Sequence, residues 1–290
     1  MPFLGAHMSI AGGYYKAVEA AASFQMDCVQ VFTKNNNQWR AKEITHAEAD
    51  QFAGAMKTHG IVKPLSHASY LINLAAEADE LWEKSIAGMV VELQRAAVLG
   101  IPFVVVHPGA GVKLTAEAAV ERVSQAIDHV HKQAGDVNSQ ILLENTAGQG
   151  TCLGHRFEQL AAIIGGVKHE ARVGVCIDTC HAFAAGYPLG TKAEYEALWA
   201  EFDKHLGRRR LQAMHLNDSK KGLGSRVDRH EHIGQGQIGL EPFRMLLNDP
   251  RLVSVPMYLE TEKGENEDGE SFDAVNMRTL RELVCGNKRK

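Results

Sequence analysis

The feature that most constrains this chain is a recurrence. Short apolar, β-rich runs alternate with helix-length segments from one end to the other, and nearly every run ends on a side chain able to bind a metal ion. We read eight runs: Phe3–His7, Cys28–Phe32, Pro64–His67, Phe103–His107, Gln140–Glu144, Val173–Asp178, Leu211–His215 and Met257–Glu260. Helical patterns fall at Gly12–Phe24, His46–His59, Glu77–Leu99, Thr115–Gln133, Arg156–Ile164, Lys192–Leu206, Leu240–Leu247 and Phe272–Val284. Such alternation is the sign of repeated βα units around a parallel sheet, and eight of each predict a closed (β/α)8 TIM barrel. With 290 residues, 45% of them apolar, the chain can bury the core of one such domain over residues 1–290, ending in a basic tail at Lys288–Lys290.

The runs end on His7, His67, His107, Glu144, Asp178, His215 and Glu260. In a βα barrel the C-terminal ends of all strands converge on one rim, where active sites are built. Residues scattered along the chain thereby become neighbours, so the scatter is what a shared site requires. Two further pairs extend the set. Asp178 and His181 sit three residues apart in VGVCIDTCH, read as spanning a tight turn, and Asp228 and His230 alternate in an extended DRH segment, where i and i+2 side chains point the same way. Imidazole and carboxylate without thiolate suit zinc, manganese or iron, with zinc favoured by the share of histidine. Cys180 is read as a buried structural thiol.

Leaving His7 aside, nine candidate ligands remain: His67, His107, Glu144, Asp178, His181, His215, Asp228, His230 and Glu260. A catalytic zinc typically takes about three protein ligands, so nine with one bridging carboxylate is the count for about three ions, a cluster suited to phosphoester hydrolysis. His7 is read as orienting a ligand, and His232 as outside the ligand set. His46, His59, His129, His131, His155, His169 and His205 are read as surface positions, and Arg208–Arg210 as a solvated cluster at the barrel bottom.

A formal charge of -4 argues against a general polyanion binder, although bound cations and local Lys/Arg clusters can make one face positive. Lys220, Lys221, Arg226 and Arg229 form such a cluster in the loop after the seventh run. The five cysteines are scattered without a C-x-x-C pair and read as reduced thiols of a cytoplasmic protein. No export signal and no membrane span are expected.

The motifs HxSYLINL (67–74), VxHPG (105–109), LLENTAGQG (142–150), IDTCHAFAAGY (177–187), HLNDSKKxxGSRxDRHxxIGxGxIG (215–239) and LETE (259–262) together resemble endonuclease IV, the zinc-dependent apurinic/apyrimidinic endonuclease family of base-excision repair. The resemblance runs from GAHMSIAGG near the start through essentially the whole chain. It implies a TIM barrel with three zinc ions at its C-terminal rim, replaceable by manganese or iron. On this resemblance His67 and His107 hold one ion, Asp178, His215 and Glu260 a second, Glu144 bridges the two, and His181, Asp228 and His230 hold the third. Glu144 and Glu260 are the expected catalytic carboxylates. The implied reaction is hydrolysis 5′ to an abasic site in double-stranded DNA, leaving a 3′-hydroxyl and a 5′-deoxyribose phosphate, with 3′-blocking groups removed by the same chemistry.

The resemblance also implies that the loops TKNNNQWRA (33–41) and SYLINL (69–74) enter the minor groove, with Asn37, Trp39, Tyr70 and Leu71 as DNA contacts. At position 37 the family leads one to expect a basic residue, where this chain has Asn37. A monomer is expected. The competing readings are a sugar isomerase or epimerase on the same barrel, with one or two ions, and a non-catalytic DNA-damage binder. The trio His181, Asp228 and His230 favours the nuclease.

Overall fold

Parallel pairing of successive strands, each returned by a helix, closes the sheet on itself. The computed structural model describes residues 1–285, so the basic stretch Lys288–Lys290 lies outside the described residues. The strands are β1 (Leu4–His7), β2 (Cys28–Phe32), β3 (Val62–His67), β4 (Phe103–Val106), β5 (Gln140–Glu144), β6 (Val173–Asp178), β7 (Leu211–His215), the short β8 (Asp218–Ser219) and β9 (His230–Glu231), and β10 (Met257–Leu259). The barrel order is β1-β10-β7-β6-β5-β4-β3-β2, with every neighbouring pair parallel. Around it lie α1 (Tyr14–Ser23), α2 (His46–His59), α3 (Asp79–Val98), α4 (Ala116–Ala134), α5 (Phe157–Gly165), α6 (Thr179–Ala185), α7 (Lys192–His205), α8 (Leu240–Leu247) and α9 (Phe272–Leu283). The predicted (β/α)8 barrel is the observed fold.

Local sequence explains the helix starts. Thr45 and Glu48 form a reciprocal capping box at α2, and Thr191 and Glu194 form another at α7. The main apolar core lies between sheet and helices, with Phe52, Met89, Phe157, Trp199 and Phe243 among its buried side chains.

The barrel interior holds a second cluster, Cys28, Leu65, Val105, Leu142, Cys176, Ala213 and Tyr258. Side chains along a strand repeat on one face every two residues. Two positions further on from these seven stand Gln30, His67, His107, Glu144, Asp178, His215 and Glu260. The interior is thus an apolar floor with a polar layer directly above it at the C-terminal rim. Gly5, two residues before His7, permits the tight β1–β2 approach, because a Cβ there would lie 2.1 Å from the Cys28 carbonyl oxygen.

Three expectations are corrected. The segment after Asp178 is the helix α6, not a tight turn, because the Asp178 side chain caps it by accepting from the His181 amide at 2.8 Å. Within the loop after β7, β8 and β9 pair antiparallel with Ser219 opposite His230. His131 is not a surface residue but is buried on α4, on the same helix face as the buried Ile127 and Ala134. Arg208–Arg210 forms a short 3-10 turn whose members are largely anchored: Arg208 pairs with Asp203 and covers the Trp199 ring at 4.3 Å, and Arg210 pairs with Glu170. Among the described residues no helix is long and apolar enough to cross a membrane.

Candidate metal centre

The polar layer brings the strand-end residues into direct contact. Glu144, fully buried at the end of β5, has Oε2 3.1 Å from His67 Nε2 and 3.0 Å from His107 Nε2. Its Oε1 lies 2.8 Å from His215 Nδ1, which is in turn 3.1 Å from Glu260 Oε2. Ligand atoms of His67, His107 and Glu144 fall within 4.8 Å of one another, as do those of Glu144, Asp178, His215 and Glu260. Glu144 is common to both groups.

A third group forms where α6 meets the returning loop. Asp228 Oδ2 is 3.1 Å from His181 Nε2, Asp228 Oδ1 is 3.3 Å from His230 Nε2, and the two imidazole nitrogens are 3.5 Å apart. The β8–β9 pairing places His230 here. Asp178 also faces this group, 3.6 Å from His230 Nε2, and Cys180 is within reach of Asp228 and His230. Burial pushes the Cys180 thiol up to about 12, away from its thiolate form.

Second partners decide which ring nitrogen faces inward. A carbonyl oxygen can only accept, so the nitrogen beside it carries the proton. His67 Nδ1 meets Ala68 O at 2.8 Å, His181 Nδ1 meets Asn145 O at 2.9 Å, and His230 Nδ1 meets Glu260 O at 3.2 Å. His215 Nε2 meets Gln30 Oε1 at 2.8 Å, an amide oriented by donation from Gln30 Nε2 to Glu260 Oε1 at 2.5 Å. In neutral rings the inward nitrogens are therefore lone pairs aimed at carboxylate oxygens. That arrangement repels unless a proton or a cation lies between, and it fits a divalent metal with imidazole and carboxylate ligands.

Electrostatics follow the geometry. Burial disfavours a charge on Glu144, but His215 foremost, then His107 and His181, hold its carboxyl well below the usual range. Burial likewise opposes ionisation of Glu260, which His215 and His7 overcome. Asp228, despite burial, is held down to about 2 by His181 and then His230. Burial opposes protonation of His67, His181 and His215, yet facing carboxylates raise His67 and His181, and Cys176 followed by Glu260 and Glu144 raises His215. Burial lowers His7, whose Nδ1 sits 3.0 Å from Gln30 Nε2 and so accepts from it.

Two supporting residues escaped the sequence reading. Gln30 ties His7, Glu260 and His215 together. Asn217 is fully buried, donates to Asp178 Oδ2 at 2.6 Å and accepts from the Glu260 amide at 2.8 Å. The period-two placement of Gln30 above Cys28 was the available signal, whereas Asn217 carries none beyond its place after His215. His232 stacks on Phe272 at 4.0 Å and joins none of the three groups.

His67, His107 and Asp228 line a cavity of about 610 Å³ together with Tyr70, Asn73 and Gln149. Tyr70 stands 60% exposed at its edge with Leu71 half-buried, its ring 5.4 Å from that of His67. Asn37 is exposed, and Trp39 is half-buried against α3. Lys220, Lys221, Arg226 and Arg229 all lie on the loop between β8 and β9, where Lys220 is 3.7 Å from Glu262. Asp218 organises the segment that follows β9 by accepting from the amides of Gly234, Gly236 and Ile238 at 2.9–3.1 Å. A Cβ at Gly236 would lie 2.4 Å from Asp218 Oδ1, which accounts for the glycine.

Comparison with known proteins identifies the family. A family model described as a xylose isomerase-like TIM barrel matches residues 18–280. The chain is 48% identical over 286 residues to the probable endonuclease 4 of Geobacter sp. (strain M21), covering 99% of this chain and 100% of that protein. It is 50% identical over 286 residues to the probable endonuclease 4 of Chloroflexus aurantiacus (strain ATCC 29366), covering 99% of each. The crystal structure of endonuclease IV from Thermus thermophilus superimposes with a TM-score of 0.86 at 40% identity, covering 97% of this chain and 98% of that one. The chain belongs to the endonuclease IV family of metal-dependent AP endonucleases.

Proposed function

We propose that the protein hydrolyses the phosphodiester bond 5′ to abasic sites in duplex DNA with about three zinc ions held by the nine residues His67, His107, Glu144, Asp178, His181, His215, Asp228, His230 and Glu260. The observation that carries this reading is the set of inward-facing imidazole nitrogens, each fixed by a carbonyl or amide partner and aimed at a shared carboxylate. When bound, the ions polarise the scissile phosphate and acidify water at the site.

The chain's own groups do the rest. Glu144 joins the first two ligand groups and keeps their spacing fixed. Glu260, 11% exposed where Glu144 is 0%, is the one of these two carboxylates that we assign to accept the attacking water's proton. Tyr70 at the cavity edge and Leu71 beside it fill the space left by the missing base and hold the lesion open, with Asn37 and Trp39 contacting the DNA from the adjacent loop. Lys220, Lys221, Arg226 and Arg229 contact phosphates on the flanking backbone, which supplies attraction without sequence preference. The products are a 3′-hydroxyl and a 5′-deoxyribose phosphate, and 3′-phosphates and 3′-phosphodiesters are cleared at the same centre. Manganese or iron substitutes for zinc at these ligands, and the protein acts as a cytoplasmic monomer.

The test is incubation of the metal-replete protein with a duplex carrying one tetrahydrofuran abasic analogue, with mapping of both product ends. Incision on the 5′ side with a 3′-hydroxyl is expected. Absence of incision removes the nuclease reading, and one bound ion per chain by elemental analysis removes the three-ion site.

A further inference from the structure

The two recognition loops, residues 33–45 after β2 and 68–78 after β3, contain no regular secondary structure. Helix α3 holds them together. Glu92 on α3 is 1% exposed, and its carboxylate reaches both loops at once. Oε2 accepts from Thr33 Oγ1 at 2.7 Å, and Oε1 accepts from the Ser69 amide at 3.2 Å. Oε1 is also 3.1 Å from Nζ of the buried Lys34, which donates onward to Gln38 O at 2.8 Å, next to Trp39. A direct bond from Ser69 Oγ to Asn36 O at 2.5 Å joins the loops beside it.

Neighbours on the same helix face extend the hold, since positions three and four apart share a face. A Cβ on Gly88 would lie 3.2 Å from the Trp39 ring, so the glycine lets that ring rest on the helix. Lys84 Nζ lies 4.8 Å from the centre of the same ring. Arg95 donates to Thr33 O at 2.7 Å and to Lys42 O at 2.6 Å.

A buried ion pair contributes little net stability compared with apolar residues of the same volume, so its presence here asks for another role. We propose that Glu92 is a positioning residue that clasps the loops bearing Asn37, Trp39, Tyr70 and Leu71 into one rigid unit for lesion recognition. This rests on the proposed reading of those loops as DNA contacts. The clasp sets the spacing between the two wedges before DNA arrives, so less ordering cost falls on binding.

The experiment compares wild type, Glu92→Gln, Lys34→Met and the double variant on the tetrahydrofuran duplex, with hydrogen exchange measured over 33–45 and 68–78. Glu92→Gln should raise KM roughly tenfold with kcat within about twofold, the signature of lost binding that is equal in ground and transition states. Exchange should rise in both loops together, since they share the carboxylate. Adding Lys34→Met to Glu92→Gln removes the unpaired buried charge and should recover about threefold of the KM, a coupling that a merely additive structural defect does not give.

Unchanged KM and unchanged exchange in Glu92→Gln beside an active wild type overturn the clasp. A fall in kcat with no change in KM or loop exchange also overturns it. An inactive wild type instead overturns the nuclease reading, and the clasp is then decided by exchange alone: a joint rise supports it and no rise overturns it. Should Glu92→Gln fail to fold, Thr33→Val deletes one bond without stranding a charge, and it should raise KM about threefold while an unchanged KM overturns the proposal.

Discussion

Glu144 Oε1 lies 2.8 Å from His215 Nδ1 with both side chains fully out of solvent, while Glu144 Oε2 faces His67 and His107. One carboxylate on β5 therefore joins residues from three other strand ends. Glu144→Gln keeps the volume and removes the charge. It should lose at least one ion per chain by elemental analysis and more than about a hundredfold of incision rate, with the barrel intact by circular dichroism. Full metal content with near-normal activity would remove Glu144 from the centre.

Gln30 makes a different kind of contribution, because it touches His7, Glu260 and His215 without belonging to any of the three ligand groups. Its amide sets which nitrogen of His215 carries the proton. Gln30→Ala should weaken zinc retention against a competing chelator by about 10–100-fold and lower incision by a similar factor. Added zinc should restore part of the activity. An unaltered chelator titration would mean His215 is oriented by its carboxylate partners alone.

Metal removal should have a pH signature of definite sign. In the folded chain His67 and His181 are raised by facing carboxylates, and His215 by Cys176 followed by Glu260 and Glu144, against the effect of burial. In the metal-free protein their stabilising protonation is complete below an unfolded imidazole value of about 6.5 and is lost as pH rises through the raised folded values. Bound metal takes the place of those protons. The gap in Tm between zinc-loaded and chelated protein should therefore widen as pH rises above about 6.5. Differential scanning calorimetry of both forms checks this, and a gap that narrows with pH contradicts it.

Acid stability should depend on a residue far from the centre. His131 on α4 is buried with neither ring nitrogen hydrogen-bonded among the described residues, and it lines a cavity with Asp128, Lys132, Asp136, Lys168, His169 and Arg172. Burial first, then Arg172 and His169 against the opposing effect of Asp128, push its pKa down to about 4. The unfolded chain takes up a proton at about 6.5, so stability is lost as pH falls from there toward the folded value, by on the order of 1–2 kcal/mol after allowance for nearby solvent. Urea unfolding at about pH 7 and pH 4.5 should show His131→Phe losing less stability over that interval than wild type. Equal losses would show that the ring is solvated.

Much of the centre was legible because a strand has a period of two and a barrel has one catalytic rim. His67, Glu144, Asp178 and His215 end apolar runs, and His107 and Glu260 follow directly, so the βα alternation alone assembles them into one layer. Gln30 belongs to the same layer by the same count from Cys28, but an amide inside an apolar run does not announce chemistry. The start of α6 is hidden in the sequence because Asp178 has the residue type of a ligand while its side chain also caps the helix. The burial of His131 is not legible in the sequence, because helical periodicity does not tell which neighbours pack above a given face of α4.

The sequence by itself determined the parallel barrel, the rim to which the strand ends converge and the residue types gathered there, because alternation and strand period are local properties of the chain. Tertiary structure alone decided what depends on distant segments meeting. It set which imidazole nitrogen faces inward, the orientation of Gln30 and Asn217, the pairing of β8 with β9 that returns His230 beside His181, and the reach of Glu92 to two loops. Those arrangements follow from close packing and from pairing of buried polar groups across the barrel, where a partner many residues away in sequence settles the geometry.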